Sequence, residues 1–197
     1  MKPETKLWRI IKKNTPSIYW NRIENAINNG IPDLLGSLQN SNFFTVELKI
    51  TYDNKTVRFS PHQVAWHKVN HGCKFIMISP RCQSSVKLFE HTIIDGQRTK
   101  FIDHVPLAVV DDIKDNEQWK VFQNKMRAES MKEAYRFIDE VGILFWIRKD
   151  MYVKNSRKLN ILEKMVDYFS DLEHYEKCAY LMRGIRVLKE EKTNETV

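Results

Sequence analysis

Between Thr45 and Ile50 polar and apolar residues alternate without a break: Val46, Leu48 and Ile50 are apolar, and Thr45, Glu47 and Lys49 are polar. A strand sends successive side chains to opposite faces, so this stretch predicts a strand with one buried face. Glu47 and Lys49 then leave together from the other face, about 7 Å apart. Upstream stands Gly30-Ile31-Pro32-Asp33-Leu34-Leu35-Gly36. Pro32 fixes its own φ and biases Ile31 away from helix, so an extended segment starts at Asp33, is anchored by Leu34 and Leu35, and ends at Gly36. Ser37 to Asn42 has hairpin character, which predicts that Asp33–Leu35 and Phe43–Ile50 are adjacent antiparallel strands. In that pairing Asp33 and Glu47 can share a divalent cation, with Lys49 beside them.

The flanking text extends this into an α/β fold, a mixed central sheet flanked by helices. Glu4 to Lys13 reads as an amphipathic helix broken at Asn14, Pro16 and Ser17. Val57 to Phe59 is a short extended piece. Ser60-Pro61 starts a helix with Ser60 as N-cap, placing Gln63 one turn in. That helix ends near Asn70 to Gly72, with Trp66 expected in the core. His62, His67 and His71 lack the further ligand a zinc site needs, so His67 and His71 are expected to be structural or phosphate-contacting. Cys73 to Ser79 predicts a buried strand joined by a helical crossover, and Val86 to Phe89 a further strand. After Asp103 the character changes. Trp119, Phe122, Met126, Met131, Tyr135 and Ile138 recur at helical spacing, and Asn160 to Arg183 is a second helical region. Ile143 to Ile147 fits either a strand or a helix. The expected organisation is an α/β domain over 1–105, a helical C-terminal extension over 106–188 for dimerisation or for DNA or partner contact, and a disordered tail over 189–197.

Composition excludes several function classes. No apolar run approaches the roughly 18 residues of a membrane helix, and Met1 to Lys13 has no signal-peptide core, so a cytoplasmic protein without membrane contact is expected. Cys73, Cys82 and Cys178 are too few and scattered for a disulfide framework, and are expected to be reduced and mostly buried. No Walker A, Gly-x-Gly-x-x-Gly, Ser-His-Asp order or iron–sulfur spacing occurs. Charge is unevenly placed: residues 1–100 carry 15 Lys and Arg against 7 Asp and Glu, and residues 101–197 carry 17 against 18. The excess positive charge therefore accompanies Asp33, Glu47 and Lys49, where it would attract phosphates regardless of sequence. Two carboxylates suit Mg²⁺, which prefers oxygen ligands and keeps several waters. Such an ion polarises a phosphoryl oxygen and lowers the pKa of a bound water, and a neighbouring ammonium offsets charge on the phosphorus centre.

Pro32-Asp33, thirteen intervening residues, and Glu47-Leu48-Lys49 resemble the PD-(D/E)xK nuclease superfamily. Gly30-x-Pro32-Asp33 before the strand and Ser60-x-x-Gln63 after it are similar to the branch of archaeal-type Holliday junction resolvases and VRR-NUC domains. The resemblance covers roughly residues 1 to 95. It implies a restriction-endonuclease-like core and a Mg²⁺-dependent endonuclease, with Mn²⁺ able to substitute. Asp33, Glu47, Lys49 and Gln63 would be its catalytic residues, and Asp33 and Glu47 its metal ligands. An additional acidic ligand is implied, and Glu24 is preferred over Glu4 because it lies nearer the turn. Arg22, Arg58, Lys68, Arg81 and Lys87 are the expected DNA contacts. The implied substrate is branched DNA, cut by a homodimer in the cytoplasm, or in the host cytoplasm or nucleoid if phage-encoded. Three alternatives stand beside it: a homing- or restriction-type endonuclease, a non-catalytic nucleic-acid binder on the nuclease fold, and a helical adaptor acting through residues 116–185.

Overall fold

The alternating stretch forms the third strand of a six-stranded sheet. The computed structural model describes residues 2–23, 30–38, 43–53, 55–70, 72–149 and 154–194. The main sheet contains β1 (Ile18–Arg22), β2 (Leu34–Leu38), β3 (Phe43–Thr51), β5 (Lys74–Pro80), β6 (Val86–Glu90) and β8 (Ala108–Val110), in that spatial order. A separate two-stranded ribbon pairs β4 (Val57–Arg58) with β7 (Arg98–Thr99). The helices are α1 (Pro3–Asn14), α2 (Pro61–Val69), α3 (Asn116–Val141), α4 (Ile143–Lys149), α5 (Asn155–Asp171) and α6 (Tyr175–Asn194). The protein is therefore α/β. Its sheet is mixed: β3 and β5 are parallel, and every other pairing is antiparallel. No helix among the described residues is long and apolar enough to cross a membrane.

The sheet is buried on both faces. Phe44, Val46, Leu48 and Ile50 of β3 pack in one cluster with Phe75 and Met77, Leu7 and Ile11 of α1, and Trp119, Phe122 and Met126 of α3. Ile76, Ile78 and Phe89 point the other way, into a cluster with Val57, Phe59, Ile93, Ile94 and Phe101. The unbroken burial of β5 from Lys74 to Ser79 follows, because a strand covered on both sides loses its alternation. Glu47 shares this second face and is 1% exposed. The polar side of β3 is thus an interior surface rather than a solvated one.

The described residues divide into two compact units, one ending at Ser130 and one beginning at Met131. The first unit extends past residue 105, since β8 and the first half of α3 complete its core. In the second unit, Met131, Ile138, Trp146, Leu162, Met165, Phe169 and Leu181 form a helical core. Lys158 is buried there and donates to the Ile147 carbonyl, satisfying a free acceptor at the end of α4.

Several expectations need correction. Gly36 does not end its strand, because β2 runs on to Leu38. A Cβ at Gly36 would stand 2.4 Å from the Phe44 ring and 2.9 Å from Trp20. The glycine therefore makes room for an edge-to-face series, Trp8–Trp20–Phe44–Phe75, with centroids 5.8, 5.6 and 5.5 Å apart. Ile18–Arg22 is a strand, directly after the helix break at Asn14, Pro16 and Ser17. On α2 it is His67, not Trp66, that is fully buried. Cys82 is exposed, while Cys73 and Cys178 are half-buried. Residues 143–149 are helical, and α6 continues to Asn194, through most of the expected tail.

Candidate functional site

Three local structures bring the motif residues together. The antiparallel register sets Leu34 opposite Val46, so Asp33, one residue earlier, stands beside Glu47 at the mouth of the β2–β3 pair. Its Oδ2 accepts a hydrogen bond from the Leu48 amide at 2.8 Å, which fixes the carboxylate against β3. Gly30 sets the approach to this turn. Its φ is +98°, and a Cβ there would lie 2.5 Å from the His62 carbonyl oxygen. The turn before β2 is thus seated directly on the first turn of α2.

The helix contributes Gln63 through its own cap. Ser60 Oγ accepts from the Gln63 amide at 3.2 Å, and Gln63 Oε1 accepts from the Ser60 amide at 2.9 Å, completing a capping box. The same Oε1 accepts from Lys49 Nζ at 3.0 Å, while Gln63 Nε2 donates to Glu47 Oε1. Lys49 Nζ also lies 2.9 Å from Glu47 Oε1 and 5.2 Å from the centre of the Phe59 ring. One carboxylate oxygen therefore receives both the ammonium and the amide. The other, Glu47 Oε2, is buried with no hydrogen-bond partner among the described residues.

Electrostatics at the pair are unusual for exposed carboxylates but natural for this burial. Burial, then the charge of Asp33, pushes Glu47 up to about 8, against the opposing pull of Lys49. Asp33 is also raised, chiefly by burial and further by Glu4, while the Leu48 amide, Lys49 and Arg22 act in the other direction. Burial therefore favours the protonated form of both carboxylates. A divalent ion fits these observations: it would supply a partner for the orphaned oxygen and offset the burial that raises both groups. Among the described residues there is no group of three or more His, Cys, Asp or Glu side chains set to hold an ion.

The remaining expected residues fall in different places. Glu24 lies outside the described residues, as does His71. Glu4, the rival to Glu24, acts electrostatically on Asp33 and lines the same cleft as Lys49. Arg22 also acts on Asp33, and its guanidinium donates to Thr5 Oγ1 at 3.3 Å. Arg58 lines the cleft with Lys49, and Arg81, outside its lining, lies over the ring of the cleft residue Tyr52 at 5.4 Å. Lys68 is exposed on α2, and Lys87 lies over the Phe101 ring at 5.7 Å; neither lines the cleft. Tyr52, Arg98 and Lys100 do line it, and sequence reasoning passed over all three. The two cations follow a turn at Gly96, and only the pairing of β4 with β7 carries them to the site.

His67 is a further buried polar group. Both ring nitrogens lack a partner among the described residues, and the ring stacks on His91 with centroids 6.2 Å apart. Burial, then Lys74, His91 and Lys49, lowers it to about 4, so the ring is neutral at physiological pH. It is a structural histidine at the floor of α2. The Lys74 ammonium beneath it donates to the His67 and Asn70 carbonyls and so closes the helix C-terminus. No protein-family model matches the sequence, and a search of curated proteins finds no match either.

Proposed function

We propose that the protein is a Mg²⁺-dependent endonuclease that hydrolyses DNA phosphodiester bonds, with branched DNA as its substrate. One observation carries the reading: Asp33 and Glu47 converge from neighbouring strands, Glu47 keeps an unpartnered buried oxygen, and Lys49 is held at the same carboxylate. Asp33 and Glu47 would hold the ion, with Glu4, which acts on Asp33, as the additional acidic group. When bound, Mg²⁺ lowers the pKa of a coordinated water and polarises a phosphoryl oxygen. The chain's own part is positional. Gln63 is pinned by the capping box and therefore fixes Lys49 Nζ and Glu47 Oε1 relative to each other. Lys49 presents an ammonium where negative charge would develop on phosphorus, and its seat beside the Phe59 ring limits its alternatives. Asp33, tied to the Leu48 amide, cannot swing away from the pair. A homodimer would allow two strands of a junction to be cut together, and rests on the family resemblance alone.

The test uses labelled four-way junction, fork, linear duplex and single-stranded DNA with Mg²⁺ or Mn²⁺. Wild type should nick the junction in a paired, symmetric pattern. Asp33→Ala and Lys49→Ala should each reduce the rate by about 100-fold or more. Junction binding should stay within about threefold for Lys49→Ala, because one cation among many is removed. Cleavage of linear duplex at one site would replace the junction reading with a homing- or restriction-type one. Binding without cleavage of any substrate would leave a nucleic-acid binder.

A further inference from the structure

A cleft of about 750 Å³ opens at Lys49, lined also by Glu4, Tyr52, Asp53, Arg58, Arg98 and Lys100 among others. Four cations face two carboxylates in that lining. Asp53 is already engaged, since its Oδ1 accepts from the Lys55 and Thr56 amides at 3.0 and 2.9 Å. Glu4 acts toward Asp33. The ribbon side of the cleft is therefore cationic.

The geometry of the ribbon is specific. In the β4–β7 register Val57 pairs with Thr99 and Arg58 with Arg98. Val57 and Thr99 are buried, so Arg58 and Arg98 leave the opposite face side by side. Like charges directly opposite on paired strands repel, and a ribbon of two residue pairs has little else to offset them. Among the described residues, Arg58, Arg98 and Lys100 make no side-chain hydrogen bond or ion pair. All three are exposed. Three uncommitted cations beside Lys49 suit successive phosphates of a backbone. Tyr52 adds a second kind of contact. Its ring is 70% exposed, lines the cleft, and is braced by the Arg81 guanidinium at 5.4 Å. An aromatic plane beside a cationic groove matches the way unpaired strands are held, with bases stacked and backbone phosphates neutralised. A continuous duplex hides its base faces and cannot use the ring.

We infer that this cleft binds an unpaired DNA strand, with its phosphates on Arg58, Arg98 and Lys100 and a base stacked on Tyr52. The inference deepens the proposed nuclease function by naming the kind of strand that a branched substrate would lay beside Lys49, and rests on that reading for its biological sense only.

Its test needs no cleavage. Affinity of the full chain for a fluorescein-labelled oligonucleotide, single-stranded or as blunt duplex, is measured in EDTA over a range of salt. Arg98→Gln/Lys100→Gln should weaken single-strand binding about tenfold and lower the slope of log K against log salt by about 1.4, roughly 0.7 for each phosphate contact. Lys12→Gln/Lys13→Gln on α1, with the same loss of charge, should leave that slope within about 0.3 of wild type. Tyr52→Ala should weaken single-strand binding about tenfold at unchanged slope and leave duplex binding alone, while Tyr52→Phe retains it. An unchanged slope in the ribbon variant, or equal losses for duplex and single strand in Tyr52→Ala, overturns the inference. A protein that meets these expectations but cleaves nothing keeps the cleft and loses the nuclease reading. One that cleaves but fails them keeps the nuclease reading and loses the cleft.

Discussion

A single glutamate concentrates the chemistry of this molecule. Glu47 sits on a strand face that alternation alone would leave in water, yet it is buried with one oxygen unpartnered. Its folded-state pKa, raised to about 8, lies above its unfolded value. Its contribution to stability is thus complete below the unfolded pKa and is lost as pH rises through about 8. In EDTA, urea unfolding between pH 5 and 9 should show stability falling by about 2 kcal/mol or more. Glu47→Gln should flatten that dependence and stand more stable than wild type at the alkaline end. Mg²⁺ should recover stability most where the carboxylate is ionised, at pH 8 and above. A wild-type profile without this slope would mean that Glu47 is ionised in the folded, metal-free protein. The alternation made Glu47 and Lys49 legible as neighbours. Their burial was not legible, because the residues that cover them arrive from α2 and the segment around Phe59 and Phe101.

At the scale of elements, the joint between the β2 turn and α2 holds the site in register. Gly30 is required twice, by its positive φ and by the 2.5 Å that separates its absent Cβ from the His62 carbonyl oxygen. Gly30→Ala should cost about 2 kcal/mol or more, combining roughly 1 kcal/mol of backbone strain with displacement of α2. Any cleavage should fall further than the stability loss explains, since shifting α2 carries Gln63 away from Lys49. Denaturant unfolding and single-turnover rates on the same preparation separate the two effects. A variant that is destabilised but cleaves normally would show that the joint does not position Gln63. The Ser60–Gln63 capping box was readable from spacing, because a cap is local. The ribbon of β4 and β7 was not, because two residues in each strand carry no periodicity and their partner is forty positions away in the chain.

At the scale of the whole molecule, every candidate site residue that the structure describes lies in the first compact unit. Its core includes Val110, Trp119, Phe122 and Met126, beyond the boundary that the change in composition suggested. A fragment ending at Ser130 should melt cooperatively and keep the single-strand affinity of the full chain within about threefold. One ending at residue 105 should not fold, because removing three large buried side chains costs about 3–5 kcal/mol each. Circular dichroism melts of the two fragments decide this, and a cooperative melt of the shorter one would put the boundary back near 105.

What the residue order determined by itself was local: the β3 alternation, the turn at Pro32, the cap at Ser60, and the helical repeats after Asn116. Those features rest on backbone sterics and on partners within a few positions. Tertiary structure alone decided that the polar face of β3 is interior, that His67 displaces Trp66 from the core, and that Arg58 stands beside Arg98. Each of these depends on which distant segment covers a given face, and burial, unlike periodicity, has no signature in neighbouring residues.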